Sequence, residues 1–76
     1  MKNIILTRNI FNPAKSVVGS FENVDKNAFS VMNHFKSLAS SQGWKQPDIK
    51  RVIDKAMKGD YIRLITVLNA HMTKPE

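Results

Sequence analysis

The stretch FKSLASSQGWKQPDIKRVID, residues 35–54, carries two strong punctuation marks. Gly43 stands where a helix ends at its C′ position, a place that favours φ > 0. Pro47 stands where a helix begins, because its missing N–H costs nothing in a first turn. The spacing therefore predicts one helix before Gly43 and another after it, with Gln46 as the cap of the second. Whether this pair is a nucleic-acid reader or two core helices joined by an ordinary turn is the functional question.

Working backwards, Asp25 is the candidate N-cap of a helix over 26–41. Ala28, Val31, Met32, Phe35, Leu38 and Ala39 share one face of it, with Phe29 at the edge, and Ser30, Asn33, Lys36, Ser37 and Ser40 lie opposite. Working forwards, the second helix spans about 47–58. Ile49, Val52, Ile53, Ala56 and Met57 form its apolar arc, and Lys50, Arg51, Asp54, Lys55 and Lys58 its polar face. Gly59 and Asp60 repeat the stop-and-cap signal. A third helix over 61–72 follows, with Tyr61, Ile62, Leu64, Ile65, Leu68 and Met72 directed inward. Its β-branched content also suits a strand, but the apolar spacing follows 3–4 better than 2.

Upstream, NIILTRNIF (3–11) and SVVGSF (16–21) are rich in strand formers and flank an Asn-Pro turn signal at 12–13. They predict a β-hairpin over 3–21. The expected fold is α+β in the order ββααα: one domain over 1–76, with the hairpin at 3–21, a helical part at 26–72 and a tail at 73–76. A hairpin alone is marginal in water, so it must pack on the helices.

The chain has 76 residues and no cysteine, so no disulfide or thiolate metal site holds it together. Twelve Lys+Arg against six Asp+Glu give a net charge of +6. A basic chain of this size attracts phosphate backbones, anionic membranes or acidic proteins. The N-terminal apolar run is broken by Thr7 and Arg8 and does not read as a signal peptide, and no apolar stretch approaches the ~18 residues of a membrane span. A cytoplasmic protein is the expectation.

Enzymatic chemistry has no recognisable signature here. His34 and His71 lack partners in sequence, and their spacing is not that of a zinc site. The three glycines are isolated, so no phosphate-cradling loop is expected. Asp48, Asp54 and Asp60 do not share a helical face. No cofactor and no metal are expected.

The second helix is the candidate site, since its exposed face carries four cations and one acid and Lys45 precedes it. LASSQGWKQPDIKRVID resembles the helix-turn-helix of phage Cro and repressor proteins, the match covering Phe35 to Asp54. Leu38, Ala39, Gly43, Ile49 and Val52 fall on that family's locking positions. Trp44 replaces a smaller aliphatic residue, and Gln42 stands where the family has an apolar one. The resemblance implies that Gln46, Pro47, Lys50 and Arg51 face bases or phosphates, with Lys45, Lys55 and Lys58 on the backbone. It implies a DNA-binding regulator, possible as a homodimer. Separately, residues 43–72 are similar to small, uncharacterised phage proteins with a Gly-Trp…Gly-Asp-Tyr…Leu arrangement. That similarity implies an accessory protein, located in the host cytoplasm, that docks on a host factor without specifying which; the basic charge suits an acidic host protein (a nuclease, a polymerase or a CRISPR complex) that it would bind and inhibit. RNA remains open beside DNA as the nucleic acid.

Overall fold

The structure is a computed structural model, and it describes residues 9–74. Their order is β1 (Val17–Val18), α1 (Ala28–Ser41), α2 (Gln46–Ala56), α3 (Tyr61–Asn69) and β2 (Met72–Thr73). The fold is thus mixed α+β, with three helices and a two-stranded sheet. The described residues run βαααβ where the sequence reading expects ββααα. Most of the first expected strand, residues 3–8, lies outside the described residues. Residues 9–16 contain no strand, and β1 takes its partner from the other end of the chain.

β1 and β2 pair in parallel, Val17 opposite Met72 and Val18 opposite Thr73. The Val17 N–H donates to the His71 carbonyl and the Gly19 N–H to the Thr73 carbonyl, both at 2.9 Å. Thr73 is therefore strand rather than tail. α3 ends at Asn69 and not at residue 72: the His71 N–H bonds the Leu68 carbonyl three residues back, and Met72 and Thr73 are extended in the pairing with β1.

Helix α1 starts at Ala28 because Asn27, not Asp25, is its cap; the Asn27 Oδ1 accepts from the Ser30 N–H at 2.8 Å. Lys26, between them, is tied to the preceding turn, its Nζ donating to the carbonyls of Phe21 and Val24. Helix α2 begins one residue before the proline, with Lys45 as an N-cap that offers no side-chain hydrogen bond. Asp48 supplies a negative charge to its first turn instead. Asp60 caps α3 through the Arg63 N–H at 3.0 Å.

The core is built from Val17 of the sheet, Val31, Phe35 and Ala39 of α1, Trp44 of the turn, Ile49, Val52, Ile53 and Ala56 of α2, and Leu64, Val67 and Leu68 of α3. Tyr61 and Ile62, expected inward, are exposed, as are Ala28, Phe29 and Met57. The buried arc of α3 is 64, 67, 68 and then His71, a narrower stripe than its apolar content suggests. Where β1 meets α1, backbone and helix touch closely: a Cβ on Gly19 would lie 2.5 Å from a methyl of Leu38.

Candidate nucleic-acid interface

The α1–α2 connection is four residues, Gln42–Lys45. Gly43 has φ +91, the left-handed conformation its position demands. The Gly43 N–H donates to Ser40 at 3.1 Å and the Trp44 N–H to Ala39 at 3.0 Å. These are the two bonds of a Schellman motif, and they satisfy helix-end carbonyls that would otherwise be unpaired. The motif turns Trp44 inward, leaving it 8% exposed. Its ring receives Phe11 edge-on at 5.4 Å and Phe35 at 5.8 Å, both near perpendicular.

With Ile49, Val52, Ile53 and Ala56 committed to the core, the helical period places Pro47, Lys50, Arg51 and Asp54 on the outer side of α2, all exposed; Gln46, in line with Ile49 and Ile53, is exposed as the first residue of the helix, and Lys58 is exposed just past its end. Lys45 is exposed just ahead of the first turn. Lys55 stands apart: it is half-buried on the flank, close enough to His71 for its charge to oppose protonation there. Of the candidates, Lys45, Gln46, Lys50 and Arg51 thus come together at the N-terminal half of α2, Lys58 lies at its far end, and Lys55 is on another side.

Two acids temper this ridge. Asp54 pairs with Lys50 at 2.9 Å, one helical turn away and well exposed. Asp48 pairs with Lys15. The hydrogen bond from Lys15 holds the Asp48 carboxyl below the usual carboxylate range, aided by the charges of Arg51 and Lys45.

Lys15 and Phe11 were not among the sequence candidates, yet both border the site. Lys15 Nζ lies 4.8 Å above the Trp44 ring, and the Arg51 guanidinium lies 5.1 Å from the Phe11 ring centre. Asn9 shapes the loop that brings them there. Its Oδ1 accepts from the N–H groups of Phe11 and Lys15, and its Nδ2 donates to the Lys15 and Ala70 carbonyls. The loop flanks the Arg51 side of α2 and leaves Lys45, Gln46, Pro47 and Lys50 exposed. Only the Asn-Pro turn hinted at this arrangement; the pairing of Lys15 with a residue 33 positions away has no local signal.

Gln42 does not join the apolar lock. Its Oε1 accepts from the Val18 N–H and its Nε2 donates to the Val18 carbonyl, each at 2.8 Å. The side-chain amide behaves as a short strand on the outer edge of β1. The two histidines bind backbone as well: His34 Nε2 lies 2.8 Å from the Ser20 carbonyl, and His71 bonds Val67 and Ile10. Among the described residues no group of three His, Asp or Glu side chains is placed to hold a metal, and no helix is long and apolar enough to cross a membrane.

Comparison with protein-family models, with curated proteins and with solved structures finds no match to this chain.

Proposed function

We propose that this chain is a small, basic, non-enzymatic cytoplasmic protein that binds nucleic acid, DNA foremost, through α1, its turn and α2, and acts as a regulator. One observation carries the reading: Lys45, Gln46 and Lys50 are exposed together on the first turns of α2, beside Arg51. The first turns of the second helix are where a helix-turn-helix meets base edges. Gln46 is suited to adenine, and Lys50 or Arg51 to guanine or phosphate. Lys45, Lys58 and the newly placed Lys15 supply backbone contacts, while Lys55 lies off this surface.

The alternative is a protein inhibitor or adaptor whose partner presents an acidic face. Asp54 favours it, since a carboxylate inside the ridge is repelled by phosphates but is readily matched by a protein surface.

Anisotropy titrations with duplex DNA and single-stranded RNA across a salt series separate the two. The nucleic-acid reading expects duplex binding at about 0.15 M salt, with a log–log slope near −0.9 per phosphate contacted. Lys45→Ala with Lys50→Ala should weaken that slope by roughly two contacts and leave the melting temperature unchanged. This pair is preferable to one that includes Arg51, whose guanidinium also packs on Phe11. Absence of duplex binding, or binding indifferent to the double substitution, overturns the assignment.

A further inference from the structure

Residues 9–16 form no helix or strand, and they reach the helices through a few side-chain ties. Asn9 holds the Ala70 carbonyl, and Lys15 pairs with Asp48. The third tie ends on a ring that titrates: Ile10 donates its N–H to His71 Nε2, and Phe11 meets the same ring edge-on at 5.8 Å. Phe11 and Lys15 in turn cover Trp44, and Phe11 carries the Arg51 guanidinium of α2. Whatever holds Ile10 therefore also holds part of the candidate surface in place.

The two ring nitrogens have partners of fixed role, because both partners are backbone. The Val67 carbonyl can only accept, and the Ile10 N–H can only donate. Only the neutral ring with its proton on Nδ1 satisfies both. A proton on Nε2 sets donor against donor, on a side chain that is fully buried. The surrounding elements offer that charge no partner. Lys55 of α2 is a like charge whose field opposes it. Lys15, the one charged residue of the 9–16 segment, is turned to Asp48. β1 and the last turn of α3 carry no charge.

We infer that His71 is a proton-operated latch: protonation of its ring releases residues 9–16 from α2 while the three helices stay packed. The segment is free to leave by itself, because the helices are held to one another by Val31, Phe35, Val52, Leu64 and Leu68 and not by its ties. Release uncovers Trp44, frees the Arg51 guanidinium and parts Lys15 from Asp48. In the open form the ring meets water and titrates near its ordinary 6.5, whereas burial holds it lower in the closed form. The closed form thus binds fewer protons, and opening gains up to about tenfold for each pH unit below 6.5 until the closed-form value is passed. Asp48 is held below the usual carboxylate range, so its pair with Lys15 is not what titrates in this window.

The latch acts beside the proposed nucleic-acid contacts but does not depend on them, and its test uses no nucleic acid. Trp44 is the chain's only tryptophan, so its fluorescence reports this place alone. From pH 7.5 to 5 the emission of the full chain should shift to the red and become more readily quenched by acrylamide, while helical circular dichroism holds. His71→Gln keeps an acceptor for Ile10 but no titrating group, and it should abolish the shift. Ile10→Pro removes the donor and leaves the ring, so it should show the acid emission already at pH 7.5. His34→Gln is the control: His34 lies against the Ser20 carbonyl, and its variant should shift as the wild type does. Emission that stays constant over this range overturns the inference. So does emission that moves only together with circular dichroism, which would mean the whole chain unfolds. A shift that survives His71→Gln, or one that is lost in His34→Gln, overturns it as well.

Discussion

The backbone N–H of Ile10 donates to Nε2 of His71 at 3.0 Å, across 61 positions of sequence. Nδ1 of the same ring lies 2.8 Å from the Val67 carbonyl and so carries the ring proton. Both nitrogens are spoken for, and the side chain has no exposed surface. A second proton on the ring would displace the Ile10 N–H and bury a charge.

Burial pushes the His71 pKa below its ordinary value of 6.5, and the nearby Lys55 charge adds to this. The folded state therefore binds fewer protons than the unfolded one near that pH. The His71 contribution to stability is full above about pH 6.5 and is lost as the pH falls from there through the lower folded value. Urea midpoints measured from pH 7.5 to 5 should decline accordingly. His71→Leu should lose about 1–3 kcal/mol at pH 7.5, from the stranded Ile10 N–H, and should flatten that decline. A wild-type midpoint constant over this range would contradict the assignment.

Gly43→Ala isolates a backbone effect. No atom lies within 4 Å of where its Cβ would sit, so packing is indifferent and only the φ of +91 resists the change. The expected cost is about 1–2 kcal/mol, with Gly43→Asn milder. Equal stability of all three proteins in chemical denaturation would mean the turn is not held in this conformation.

Trp44 tests the aromatic stack. Trp44→Ala empties a site bounded by Phe11 and Phe35 and should cost about 3–5 kcal/mol. A chain of this size holds roughly 4–11 kcal/mol in all, so the variant should lose a large share of its stability and melt far below the wild type by circular dichroism. A cooperative melt within a few degrees of the wild type would place Trp44 outside the core.

Gln42→Leu discriminates two roles for the turn. Were this position part of the apolar lock, leucine would stabilise the pair of helices. With its amide on Val18, leucine should instead cost about 0.5–1.5 kcal/mol and speed hydrogen exchange at the Val18 amide. Unchanged exchange at Val18 would show that the amide does not hold that edge.

Much of the helical part was legible in the sequence, because local chemistry decides it. Gly43, Pro47, Gly59 and Asp60 mark the ends of α2 and the start of α3 to within two residues. Exposure of Lys50 and Arg51 followed from the helical period, and that of Gln46 from its place at the start of the helix. Asp25 and Asn27 are equally good caps by residue type; the Lys26 bonds to the preceding turn chose between them. The β1–β2 pairing was illegible for a different reason. Two valines and a Met-Thr pair carry no pattern that names a partner so far along the chain. Lys15 and Phe11 beside α2 were hidden by the same cause, since the Asn9 side chain that aims them is itself anchored to the Ala70 carbonyl, 61 positions away.

Val17 and Met72 are separated by 55 positions (72 − 17), and their union has a consequence for the order of folding. Closing a loop of that length costs about 3–4 kcal/mol of chain entropy before any return. The helix pairs α1–α2 and α2–α3 close across a handful of residues and pay far less. The three helices should therefore assemble first, and the sheet should be the last element to zip and the first to open. Substitutions at Val17 or Met72 would then quicken unfolding while leaving the folding rate nearly untouched.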